Sequence, residues 1–138
     1  MDVSQWMTKS VLTVKPQDTL RHARELMAKH RINQLPVVVN DKLVGIVTDR
    51  DIRDAYPSSL RLFRGRDIDE FGESYTVEEV MTYNVIAISP QTSIREAAQR
   101  MRKQRFGALP VVEGNKLVGI ITRSDLLDAL LASEPENS

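Results

Sequence analysis

The chain repeats itself, and no other feature constrains its fold as much. Residues 2–56 laid over 76–130 align without a gap at a shift of 74, with 24 identities in 55 positions. Met7-Thr8 meets Met81-Thr82, and Leu35-Pro36-Val37-Val38 meets Leu109-Pro110-Val111-Val112. Lys42-Leu43-Val44-Gly45-Ile46 meets Lys116-Leu117-Val118-Gly119-Ile120. Chance gives only a few identities over such a length, so the two stretches are copies of one unit. The expected division is repeat 1 at 1–56, a connector at 57–75, repeat 2 at 76–132 and a polar tail at 133–138. Two copies of a small unit imply a pseudo-two-fold arrangement with a site between them.

Each copy predicts the same element order, β-α-β-β-α, preceded by a short opening helix, and a mixed α/β (α+β) class. Thr76 and Glu79 have the spacing of a capping box, in which side chain and backbone satisfy each other at a helix start. Val11–Val14 and Val85–Ile88 are β-branched runs that read as strands, stopped by Pro16 and Pro90. Thr19 and Ser93 are N-cap residues for helices whose apolar positions, Leu20, Ala23, Met27 and Ile94, Ala97, Met101, fall on one face. A hairpin follows in each copy. Its turn is Asn40-Asp41 in the first and Gly114-Asn115 in the second, residues that tolerate the positive φ of tight turns. A last helix begins near Asp51 and Asp125.

Composition removes several function classes. The 138 residues are 41% hydrophobic and 28% charged, a globular profile. With no cysteine there are no disulfides, thiolate nucleophiles or Cys-based metal sites. No basic n-region with an apolar run opens the chain, and apolar stretches of about five residues fall far below the roughly 18 a membrane span needs. The expectation is a cytoplasmic protein with no membrane partner. Lys plus Arg equals Asp plus Glu at 19 each, so a polyanion is not the expected partner. The neutrality is a sum of unlike parts. Residues 53–79 carry 4 basic and 7 acidic groups, while 1–52 carry 8 and 6. The connector also holds Leu60, Leu62, Phe63, Ile68 and Phe71, too many apolar residues for a purely solvated tether.

The chemistry concentrates in Gly-Ile-Val-Thr-Asp-Arg-Asp (45–51) and Gly-Ile-Ile-Thr-Arg-Ser-Asp (119–125), where a strand ends and a helix begins. A helix start offers unpaired N–H groups and partial positive charge to a phosphate. Thr48 or Thr122 adds a hydroxyl. Asp51 or Asp125 only accepts hydrogen bonds, which suits the two hydroxyls of a ribose. The glycine permits close backbone approach. Thr-x-x-Asp is also a plain helix cap. One copy alone reads as a cap; two copies at equivalent positions favour a nucleoside phosphate.

The order Met-Thr, Val-rich run, Pro, amphipathic helix, Leu-Pro-Val-Val, Gly-x-x-Thr-x-x-Asp, met twice, resembles the CBS domain, named after cystathionine β-synthase. Two in tandem resemble a CBS pair, or Bateman module. The connector's Leu-Arg-Leu-Phe-Arg-Gly is similar to stand-alone pairs of the acetoin-utilisation type. The resemblance implies a non-catalytic regulatory module, with no required cofactor and no catalytic or metal-ligating residues. It implies adenosine-bearing ligands (AMP, ADP, ATP or S-adenosylmethionine) in clefts between the repeats, a homodimer, and an unidentified regulated protein that reads energy or metabolite state. Carried onto this sequence, the second cleft uses Asp125 for ribose, Thr122 and Ser124 for phosphate, and Val85, Ile86, Phe106, Gly107 and Ala108 around the base. The first uses Asp51, Thr48 and Arg50, with Val11, Leu12, Ile32, Asn33 and Gln34 around the base. Phe106 against Ile32, and Ser124 against Arg50, predict unequal affinities, with Arg50 and Arg53 favouring a more highly phosphorylated ligand in the first cleft. A structural or dimerisation module with empty clefts is the alternative, followed by nucleic-acid binding through the basic helix carrying Arg95, Arg100, Arg102, Lys103 and Arg105.

The two histidines, His22 and His30, lie about 12 Å apart along one helix, too far to share a metal. No Walker or dinucleotide fingerprint is present. Trp6 reads as packing for the opening helix.

Overall fold

The first long helix of each repeat begins where a hydroxyl caps it. The computed structural model describes residues 1–56 and 65–133, with the side chains of 65–67 left aside. Helix α1 (Leu20–His30) is capped by Thr19, whose hydroxyl accepts from the His22 N–H at 3.1 Å. Leu20, Ala23 and Met27 are its buried stripe. In the second copy Ser93 accepts from the Glu96 N–H at 3.0 Å, opening a helix at Ile94–Gln104 that buries Ala97 and Met101. Both helices end on an arginine in the left-handed region, Arg31 at φ 54° and Arg105 at φ 58°.

Each helix leads into a hairpin. Strands β1 (Gln34–Val39) and β2 (Lys42–Thr48) pair antiparallel, as do β3 (Ala108–Glu113) and β4 (Lys116–Thr122). Asn40 and Asp41 both have positive φ, as a type I′ turn requires; in the second hairpin Gly114 alone does, as in type II′. The register slips after Val37 and after Val111, a bulge at the same place in both copies. Helix α2 (Asp49–Ala55) follows β2. The connector contributes α3 (Gly65–Ser74), and α4 (Val77–Val80) opens the second repeat, followed by α5 (the helix at Ile94–Gln104) and α6 (Arg123–Ser133). A short 3-10 helix, Val3–Gln5, opens the first repeat. The mixed α and β class is the one the sequence implies.

The expected leading strands shrink to single residues. Val14 donates to the Pro36 carbonyl at 3.0 Å and accepts from the Val38 N–H at 3.0 Å. Ile88 does the same with Pro110 and Val112. The β-branched runs therefore supply one parallel bridge each, Val14 to Val37 and Ile88 to Val111, instead of a strand. Of the expected capping box at Thr76, the Glu79 carboxylate takes the Thr76 N–H at 3.3 Å. The Glu79 N–H goes to the Thr76 carbonyl at 3.1 Å.

The compact units are not the sequence repeats. One consists of Met1–Val11 with Ile86–Ser138, the other of Leu12–Val85. Each repeat's opening segment packs in the core built by the other repeat's helix and hairpin. Val3 is fully buried with Ile88, Ala97, Met101, Leu109, Val111 and Ile121, and Trp6 and Met7 lie against that cluster. Val77 and Met81 join Val14, Leu20, Leu35, Val37, Val47 and Ile52. The same backbone bonds seat both segments. Val3 N–H donates to Thr92 at 2.9 Å and Ser4 to Pro90 at 3.0 Å; Val77 donates to Asp18 at 2.8 Å and Glu78 to Pro16 at 3.0 Å.

The connector helix α3 packs on α1 within the Leu12–Val85 unit. Phe71 sits 4.6 Å, centroid to centroid, from both Tyr56 and Tyr75. Arg21 pairs with Asp69 at 3.8 Å, Glu73 at 3.5 Å and Glu25 at 3.0 Å. These carboxylates raise the Arg21 pKa above its ordinary value, the Glu25 hydrogen bond first. The expected packing of Phe71 is thus observed; Leu60, Leu62, Phe63 and the residues after Ser133 lie outside the described residues.

The arginine at the end of α1 carries a testable cost. A non-glycine residue in the left-handed region costs about 1–2 kcal/mol, and glycine's extra unfolded entropy gives back about 0.5–1. Arg31→Gly is expected to raise stability by about 0.5 kcal/mol, read as a higher urea midpoint with unchanged slope.

Candidate functional site

The two Thr-x-x-Asp sets fold alike, each inside one unit. Thr48 caps α2 reciprocally with Asp51. The Asp51 N–H donates to the Thr48 hydroxyl at 3.0 Å, and the Thr48 N–H donates to Asp51 Oδ2 at 3.0 Å. In the second set the distances are 3.2 Å and 2.8 Å between Thr122 and Asp125. The residue after each threonine donates its N–H backward, Asp49 to the Asn33 carbonyl at 2.8 Å and Arg123 to the Gly107 carbonyl at 3.2 Å. Those last bonds hold Asn33 and Gly107, two residues expected beside the base, against the helix start. Register does the same, opposing Gln34 to Thr48 and Ala108 to Thr122.

A helix start leaves four N–H groups without intrahelical partners. Here three of the four are already taken, at Thr48, Asp49 and Asp51 and at Thr122, Arg123 and Asp125. The N–H left over belongs to Arg50 in one set and Ser124 in the other. The helix start is a narrower phosphate seat than the motif alone implies. Its remaining donors are one N–H plus a guanidinium, or one N–H plus a hydroxyl. Each aspartate commits Oδ2 to the cap, and Oδ1 has no hydrogen bond among the described residues. Both aspartates are half-buried, so a carboxylate oxygen stands ready beside an otherwise satisfied cap.

The remaining predicted residues divide by exposure. Ile32 is 37% and Phe106 40% exposed, so both present an apolar face to solvent at equivalent positions. Asn33 and Gly107 are exposed, Gln34 half-buried and Ala108 buried. Leu12 and Ile86 pack against the two cores. Val11 and Val85 are each the last residue before the chain passes from one unit to the other. Arg50 and Arg53 are exposed on α2 and paired with Asp54 at 3.9 Å and Asp49 at 3.2 Å, which offsets the charge they bring to the first set.

The motif glycines have a role other than the one expected of them. A Cβ on Gly45 would lie 2.9 Å from the Thr82 carbonyl oxygen, and on Gly119 3.0 Å from that of Thr8. The close backbone approach they permit is that of the crossing segment. Thr82 exchanges bonds of 2.8 and 3.0 Å with Ile46, and Thr8 bonds of 2.9 and 3.0 Å with Ile120. The recurrence of Met-Thr with Gly in both copies was the sequence signal for this contact. Among the described residues no three His, Asp or Glu side chains gather to hold a metal ion, and no helix is long and apolar enough to cross a membrane.

The CBS domain model matches residues 3–58 and 77–132. The chain belongs to the CBS-domain family. This tandem pair is 39% identical over 131 residues to a CBS domain-containing protein of Dictyostelium discoideum, covering 94% of this chain and 90% of that one. Among solved structures it is similar to an acetoin utilization protein (AcuB) from Vibrio cholerae, with a TM-score of 0.78, 34% identity and 98% of each chain covered. It is similar to CBSX2 in complex with AMP, at TM-score 0.78 and 28% identity over 95% of this chain and 96% of that one. It is also similar to the CBS domain pair of protein MJ0100 in complex with 5′-methylthioadenosine and S-adenosyl-L-methionine, at TM-score 0.76 and 29% identity over 97% and 98%.

Proposed function

We propose that this CBS pair is a non-catalytic regulatory module that holds an adenosine-bearing ligand on its two Thr-x-x-Asp sets. The ligand class is an adenine nucleotide (AMP, ADP or ATP) or S-adenosylmethionine. One observation carries the reading most: Asp51 and Asp125 each spend Oδ2 on the cap, and Oδ1 makes no hydrogen bond among the described residues, which leaves an acceptor that suits a ribose hydroxyl. The AMP held by CBSX2 and the two adenosyl ligands held by the MJ0100 pair support the class. In the second set Thr122 and Ser124 meet the phosphate or its equivalent, and Ile86, Phe106, Gly107 and Ala108 surround the base. In the first set Thr48 and Arg50 take the phosphate side, with Leu12, Ile32, Asn33 and Gln34 around the base. The exposed Phe106 ring offers stacking that Ile32 does not, so the two affinities differ.

The module works in the cytoplasm as a homodimer, and the ligand changes what a regulated partner sees only as far as it prefers one conformation of the pair. A thermal-unfolding panel of AMP, ADP, ATP, S-adenosylmethionine, NADH and cyclic dinucleotides tests this. A ligand at 100 times its Kd adds about 2.7 kcal/mol per site, a rise in Tm of roughly 10 °C for a domain of this size. No shift with any of them overturns the reading and leaves a structural module.

A further inference from the structure

We propose, resting on the adenosine reading above, that the two sets sort their ligands by charge: the second takes a polyphosphorylated nucleotide and the first takes an adenosyl ligand without phosphate. This is the reverse of the preference that Arg50 and Arg53 imply in the sequence. The two copies part in charge where each helix begins. The residue after the threonine is Asp49 in one set and Arg123 in the other, and both are exposed. The seven-residue α2 carries two carboxylates in its first turn, Asp49 and Asp51, which offset the partial positive charge of its start. The eleven-residue α6 opens on Arg123 and carries only Asp125 there. Arg50 and Arg53 are spent on Asp54 at 3.9 Å and Asp49 at 3.2 Å. Arg123 makes no ion pair among the described residues.

The space beside each set repeats the contrast. A cavity of about 470 Å³ reaches Ile32, Asn33 and Asp49 of the first set; Glu25 and Asp69 also line it, so its carboxylates outnumber its two arginines, Arg21 and Arg24. The cavity that reaches Arg123 is lined by Arg95, Arg102 and Arg105 as well, and by no carboxylate. Arg105, the chain neighbour of Phe106, has Arg31 as its counterpart, so it does not discriminate. The difference lies in Asp49 against Arg123 and in Ala28 against Arg102. A phosphate chain arriving at α6 finds the Ser124 N–H and hydroxyl and a guanidinium whose N–H groups bind phosphate oxygens in pairs. The same chain arriving at α2 finds the Asp49 carboxylate at the equivalent place, and like charges repel. An uncharged 5′ substituent pays no such cost there, and a sulfonium is attracted.

Isothermal titration of the full chain with ATP, adenosine and S-adenosylmethionine tests this, one set at a time. Asp51→Asn silences the first set and Asp125→Asn the second. In Asp51→Asn, ATP should bind at least about tenfold tighter than adenosine, and the ratio should shrink at high salt, as it does for exposed charges. In Asp125→Asn, adenosine and S-adenosylmethionine should bind at least as tightly as ATP. Adding Arg123→Asp to Asp51→Asn should erase the preference for ATP. Arg123→Gln, which removes the charge and keeps a long polar side chain, should move the ratio the same way by less, and it keeps the test open should the aspartate variant not fold. Adding Asp49→Arg to Asp125→Asn should create a preference for ATP in the first set. Equal ATP-to-adenosine ratios in the two sets, or a ratio that neither Arg123 variant moves, overturns the sorting by charge and leaves the adenosine reading standing. A parent chain that binds none of the three ligands, or Asn variants that both keep two sites, overturns the adenosine reading and the sorting with it.

Discussion

Gly119→Val is expected to cost about 3 kcal/mol, the upper end for overpacking a tight contact. A Cβ at Gly119 would stand 2.6 Å from Met7 Sδ and 3.0 Å from the Thr8 carbonyl oxygen, and valine adds two methyl groups beyond it. The sulfur belongs to a flexible side chain and can give way. The carbonyl belongs to a backbone bridge of 2.9 and 3.0 Å with Ile120 and cannot move without releasing it. The strain therefore falls on the Met1–Val11 segment, whose Val3, Trp6 and Met7 pack with the Ile88–Ile121 core. Urea unfolding should show a midpoint lowered by about 1–2 M at ordinary slopes for a protein of this size. Gly107→Ala is the control, because nothing lies within 4 Å of the Cβ it adds; it should stay within about 0.5 kcal/mol of the parent. The milder Gly119→Ala should be partly rescued by Met7→Ala, a coupling that a double-mutant cycle reads directly. If Gly119→Val unfolds at the parent's urea concentration, the crossing segment does not sit where the structure puts it.

That contact marks where the sequence was legible and where it was not. Capping hydroxyls and apolar spacing are local, so Thr19, Ser93 and the stripes of α1 and α5 could be read residue by residue. The hairpins were legible because Asn40-Asp41 and Gly114-Asn115 are among the few pairs that accept their turns. Which core an opening segment enters is not local. Val3 and Val77 are equally apolar, and either could have packed in its own repeat. The runs Val11–Val14 and Val85–Ile88 misled for a related reason. β-branching favours extended chain, but strand length depends on the partner offered, and one bridge each was offered. The site was half legible. Thr-x-x-Asp marked the helix starts, yet the Asn33 and Gly107 carbonyls that consume one donor in each set sit 16 residues upstream of the residue they bind and carry no side-chain signature.

The donor count at the caps shapes the last expected result. Asp125→Ala removes the Oδ2 that receives the Thr122 N–H at 2.8 Å as well as the oxygen left for the ligand. Losing such a cap contact costs about 1 kcal/mol, so this variant is less stable before any nucleotide is added, and a smaller ligand shift alone would be ambiguous. Asp125→Asn separates the two roles. Its amide oxygen can still accept the Thr122 N–H, while its NH2 group meets the ribose hydroxyls as a donor instead of a second acceptor. The stability of Asp125→Asn without ligand should stay within about 0.5 kcal/mol of the parent. The stabilisation contributed by the second set, about 2.7 kcal/mol at 100 times the parent Kd, should fall below about 1 kcal/mol. Asp51→Asn should act in the same way on the first set only, so the double variant loses both increments and each single variant loses one. Two singles that each abolish the whole response would mean that the sets bind as one coupled site. A double variant that keeps the parent's response would place the ligand elsewhere.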